Sequence, residues 1–193
     1  MTPTILALAA LAQAQPAPPP PGAGLATIPG VTVRTYDVRG KTIREIYDSL
    51  AAAAPKSPGT AQPIPASSTW SIRVATRTSR TGDKCTITGA TATLVGDATL
   101  PRLVPDPATP PEVLASWNSY LALLDARQAE QLRFAYDHRG EVEQAVKASG
   151  CDNWQPAANA AIDRLRQQSS LVRSTDPAAQ PVLRDVVAPK GKK

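Results

Sequence analysis

Histidine is almost missing from these 193 residues: His138 is the only one. A site of the H-E-x-x-H kind, or a three-histidine zinc site, needs more than one imidazole, so this chain alone builds neither. Cysteine does not fill the gap, because Cys85 and Cys151 stand 66 positions apart with no Cys-x-x-Cys ligand spacing. Phosphate-cradling glycine loops are lacking too, since Gly59, Gly82 and Gly89 stand alone. No Gly-x-Ser-x-Gly elbow marks a nucleophile, and serines such as Ser67, Ser68 and Ser119 have no distinguishing context. Sixteen Asp and Glu residues permit many carboxylate pairs for glycoside hydrolysis, and no spacing selects one. After the first residues, no apolar run approaches the length of a transmembrane helix. Three Trp, four Tyr and one Phe leave little aromatic surface for stacking nucleic-acid bases. The net charge of +5 is also misleading, because Lys190, Lys192 and Lys193 supply three of those charges and leave +2 for residues 1 to 189. The basic face of a nucleic-acid binder is therefore not expected.

Proline is plentiful, with 20 residues concentrated at 16 to 29, 55 to 65 and 101 to 111. That distribution reads as punctuation between packed elements. Residues 1–14 read as a secretory signal: Ile5 to Leu11 is an uncharged apolar run, and Ala12-Gln13-Ala14 offers a small-x-small cleavage pattern. Residues 15–27 read as a Pro-rich linker, 28–172 as one packed domain, and 173–193 as a disordered basic tail. In the oxidising periplasm or extracellular space, Cys85 and Cys151 are expected to form a disulfide, the alternative being a buried free pair or a redox couple.

Val31 to Val38 is strand-like. Thr42-Ile43-Arg44-Glu45 is a capping box that opens a helix with Ile43, Ile46, Tyr47 and Leu50 on one stripe, ending before Pro55. Trp70, Ile72 and Val74 alternate with Ser71 and Arg73 as a half-buried antiparallel strand does. A second strand runs from about Lys84 to Leu94, and its inward set changes phase around Gly89, which predicts a bulge or bend. Thr109 suits an N-cap, Pro110 a first helical position and Glu112 the reciprocal cap of a long helix reaching about Ser149. A last helix covers about Pro156 to Val172.

In order and spacing, these landmarks resemble a bacterial domain-of-unknown-function family of predicted secreted zinc-dependent proteases. The resemblance covers about residues 31 to 172 and rests on Tyr36-Asp37-Val38-Arg39-Gly40-Lys41-Thr42-Ile43-Arg44-Glu45-Ile46, then Thr69-Trp70, Cys85 and Leu100-Pro101-Arg102. Trp117-x-x-Tyr120-x-x-x-Leu124 on the long helix, with a cysteine after it, completes it. In that family the helix continues into H-E-x-x-H, whose two histidines bind zinc and whose glutamate is general base. Here those positions read Arg127-Gln128-Ala129-Glu130-Gln131, a degenerate motif. A permanent guanidinium at Arg127 would meet a divalent cation, Gln128 has no carboxylate, and Gln131 is a poor zinc ligand.

The helical stripe Trp117, Leu121, Leu124, Gln128, Gln131, Ala135, His138, Val142 is spaced as a buried face yet is polar at Gln128, Gln131 and His138. Buried glutamines either hydrogen-bond into the sheet or line a wet cleft. The alternative is an exposed segment in which Arg127, Glu130 and Arg133 form i+3 charge pairs. His138 with Glu141, beside Asp137, sketches a one-histidine metal site, and His138 is the only candidate base for a Ser-His-Asp arrangement.

The expected fold is therefore α+β: a small antiparallel sheet with a short helix, one long helix and a C-terminal helix, in a zincin-like arrangement. The expected function is that of a catalytically inactive, exported, protease-like protein, without cofactor, that binds a polypeptide in the former active-site cleft. The alternatives are an active hydrolase with a divergent zinc site around His138, or a structural envelope protein.

Overall fold

The computed structural model describes residues 22–56 and 62–171, together with Leu183. The signal expected at 1–14 and, Leu183 apart, the tail expected at 173–193 lie outside the described residues. The described chain opens on a single 3-10 turn, Leu25–Thr27, in the stretch read as linker, and Leu25 there is fully buried. Then follow β1 (Val31–Val38), α1 (Ile43–Ala53), β2 (Ser67–Thr81), β3 (Lys84–Leu103), α2 (Pro111–Ala148) and α3 (Trp154–Leu171).

Helix α1 starts where its capping box predicts: Glu45 N donates to Thr42 Oγ1, and the Glu45 carboxylate accepts from the amides of Lys41 and Thr42. Its buried stripe is narrower than expected, with Ile43, Ile46 and Leu50 inside and Tyr47 58 % exposed. β2 and β3 form one long hairpin closed at Gly82-Asp83, where Gly82 has φ +60°. Their register slips between Arg77, which faces Gly89, and Thr78, which faces Ile87. Thr88 is thus the extra residue of a bulge, beside the glycine where the phase change predicted one.

The sheet is mixed rather than antiparallel. Its order is β1-β3-β2, with β2 antiparallel and β1 parallel to β3. The reason is the length of β3, which does not end at Leu94 but runs on to Leu103 and pairs Gly96 to Leu103 with β1. Pro101 lies within this strand, beyond the last β2 pair at Thr99, where β3 has a neighbour on one side only and a missing N–H is tolerated.

The core lies on one face of the sheet, where Ile72, Leu94, Ala98 and Leu100 meet α2 and α3 through Trp117, Leu132 and Leu165. Gly96 permits this close approach, since a Cβ there would lie 3.2 Å from Leu132 and 3.1 Å from Val31. On the opposite face Thr32, Arg34, Ser71, Arg73, Thr91 and Thr93 are exposed. The helix start also differs from expectation. Pro110 is the N-cap, in extended conformation (φ −60°, ψ 144°), because Pro111 follows it and excludes the helical region for its predecessor. Thr109, displaced from the capping position, is buried with Oγ1 unpaired among the described residues. Cys85 at the start of β3 and Cys151 after α2 form the expected disulfide, 5.9 Å between Cα atoms.

Candidate functional site

Tyr120, Leu124, Gln128 and Gln131 recur at helical spacing along one face of α2, and Arg127 flanks them. This face meets the residues leading into β2. Between them lies a cleft of about 390 Å³ lined by Ile64, Pro65, Ala66, Ser67, Ser68 and these five α2 residues. Ser68 is reached by extending the Trp70, Ile72, Val74 alternation back by two, which puts it on the helix-facing side of β2.

Both roles open to the glutamines are realised. Gln128 is buried, and its Oε1 accepts a hydrogen bond from Ser68 Oγ at 2.8 Å, so the helix is tied to the sheet. Gln131 and Arg127 are half-buried and line the cleft. The i+3 charge pairs expected for an exposed segment do not form: neither Arg127 nor Glu130 makes an ion pair among the described residues. Arg133 instead donates to Thr27 Oγ1 at 3.2 Å. Asp125, on the side of the helix facing the N-terminal turn, accepts from Gly24 N at 2.9 Å.

The opposite wall is fixed by Tyr36, whose hydroxyl donates to the Pro65 carbonyl at 2.8 Å. Burial raises its pKa well above the usual phenol range, and nearby Tyr120 adds to the effect. Burial likewise pushes Tyr120 up to about 12, with Tyr47 contributing. Both phenols are therefore neutral hydrogen-bonding groups at physiological pH. Tyr120 also packs on Trp117, with ring centroids 5.8 Å apart. Composition gave no reason to single out Tyr36 or Ser68; the strand alternation carries the signal for Ser68.

His138 does not line this cleft. Its Nδ1 lies 2.7 Å from Glu141 Oε1, its ring stacks on Phe134, and both members of the pair are about half exposed. No group of three His, Cys, Asp or Glu side chains is placed to share a metal ion among the described residues. The residues standing where the resemblance expects a zinc site do not fit a divalent cation. Arg127 carries a fixed positive charge, and the Gln128 amide oxygen is engaged by Ser68.

The profile of a family described as a bacterial protein of unknown function, DUF922, matches residues 33–171. No curated protein and no solved structure matches the chain.

Proposed function

The chain belongs to the bacterial DUF922 family of unknown function, and from that premise we propose that it is an exported, non-catalytic polypeptide-binding module. In this reading it is a metallopeptidase-like scaffold with a degenerate motif at Arg127, Gln128 and Gln131. One observation carries the reading: the face of α2 holding those three residues opens onto a cleft at the start of β2, an edge strand with no strand on its outer side among the described residues. An extended segment can pair with an open edge through its main chain while a side chain enters an adjoining pocket.

Export is supported by the disulfide, which suits an oxidising compartment. No helix among the described residues is long and apolar enough to cross a membrane. An envelope location is the natural setting for such a module.

The test is binding of unstructured peptides to the purified protein, monitored by calorimetry and by amide chemical shifts. Shifts confined to residues 64 to 70 and to the α2 face are the expected result. Chelator-sensitive peptide cleavage, or the absence of any binding, would overturn the reading. The triple replacement of Arg127, Gln128 and Gln131 by Ala is expected to abolish binding, and full binding by that variant would place the ligand elsewhere.

A further inference from the structure

Arg127 is half-buried in the cleft wall, yet its guanidinium has no ion pair or hydrogen bond to any described residue. The two nearest acids in sequence do not neutralise it: Asp125 is engaged with Gly24, and Glu130 makes no ion pair. The other polar groups lining the cleft are uncharged, namely the Gln128 and Gln131 amides, the Ser67 and Ser68 hydroxyls and the neutral Tyr120 phenol. Gln128 and Ser68 satisfy each other, whereas the Arg127 fork, the Gln131 amide and the Ser67 and Tyr120 hydroxyls make no bond to described residues. A single guanidinium among neutral donors matches a single carboxylate, which it can hold through two parallel hydrogen bonds.

The backbone indicates where that carboxylate sits in its own chain. β2 starts at Ser67, and two residues before it Pro65, which has no N–H, forms part of the cleft wall with its carbonyl occupied by Tyr36. An added strand therefore runs out of pairing partners within two residues of the start of β2, in the cleft that Arg127 lines. A cleft of about 390 Å³ lies near the small end of ligand pockets and suits the end of a chain better than a through-running segment.

We propose that the cleft captures the free C-terminus of an extended polypeptide. The terminal carboxylate rests on Arg127, and the preceding residues run antiparallel to the open edge of β2. This rests on the polypeptide-binding reading and specifies its ligand.

The experiment compares three fluorescent versions of one extended peptide by anisotropy on the full protein. One has a free C-terminal carboxylate, one is amidated, and one is amidated with a Glu in place of the last residue. The free acid is expected to bind wild type roughly tenfold more tightly than either amide, the size of one charge-assisted contact. Arg127→Gln is expected to bring the free acid down to the level of the amides on that variant with thermal stability unchanged, and Arg127→Lys to keep part of the difference. Equal binding of acid and amide, or a preference that survives in Arg127→Gln, overturns the carboxylate anchor and leaves polypeptide binding standing. If the Glu peptide matches the free acid, the carboxylate belongs to a side chain and the C-terminal assignment is overturned. If no peptide binds, both the anchor and the binding reading fall.

Discussion

Gln128 is only 8 % exposed, and Ser68 supplies the partner that makes its burial tolerable. Ser68→Ala would leave the amide oxygen without that partner, at a cost of about 1 to 3 kcal/mol. In Ser68→Ala combined with Gln128→Leu, an apolar side chain of similar length removes the stranded group, so part of the loss should return. A double-mutant cycle by urea denaturation measures this coupling, and a strictly additive result would mean the bond contributes nothing. Thr109 is the opposite case. Its buried Oγ1 is unpaired because Pro111 moved the cap to Pro110, so Thr109→Val is expected to stabilise the protein by about 1 kcal/mol. The Tyr120 phenol has a defined pH signature. Its pKa is raised from 10.0 to about 12, so folding favours the protonated form. That contribution is complete below about pH 10 and is lost as pH rises towards about 12. Tyr120→Phe should flatten the fall in stability over this window relative to wild type, and Tyr36→Phe should act in the same direction.

Elements differ in how plainly the sequence announces them. The Thr42 capping box and the bulge beside Gly89 are local signals, and both stand where expected because they depend on neighbours within a few residues. The second half of β3 is not announced in this way. Gly96 and Pro101 look like strand breakers, but one makes room for Leu132 and the other lies past the last β2 partner. Both explanations are tertiary, and so was the parallel pairing with β1 that turned the expected antiparallel sheet into a mixed one. The cleft was legible in part: the polar interruption of the α2 stripe pointed to Gln128 and Gln131, but Tyr36 and Ser68 come from strands distant in sequence. The disulfide acts at the same scale, tying the start of β3, beside the hairpin turn, to the turn between α2 and α3. Cys85 and Cys151 close a loop for which chain entropy gives roughly 4 kcal/mol. Replacing both cysteines by Ser should lower the denaturation midpoint accordingly, and an unchanged midpoint would deny the bridge a structural role.

For the whole molecule, the cleft shares Tyr120 and Leu124 with the core but lies at the end of the hairpin remote from the disulfide. The core is enclosed between one face of the sheet and the α2 and α3 helices, and the disulfide is far along β3 from Ser67. The cleft lies at the other end of β2, and the polar side chains that α2's 127–131 stretch contributes to its lining are an arginine and two amides rather than metal ligands. In a zinc-dependent enzyme, metal binding adds to stability because the ion is bound by the native state alone. In this protein neither the cleft nor the His138 and Glu141 pair presents such a ligand set among the described residues. Stability and peptide affinity are therefore expected to be the same, within error, after exhaustive treatment with chelator and after addition of excess zinc. Thermal melts and peptide titrations on the same preparations would check both. A rise in melting temperature with zinc that Arg127→Gln leaves intact and His138→Ala removes would transfer the metal chemistry to His138 and favour the hydrolase. No response in either measurement is the outcome expected of the proposed Arg127 anchor, which acts through charge and main-chain pairing alone.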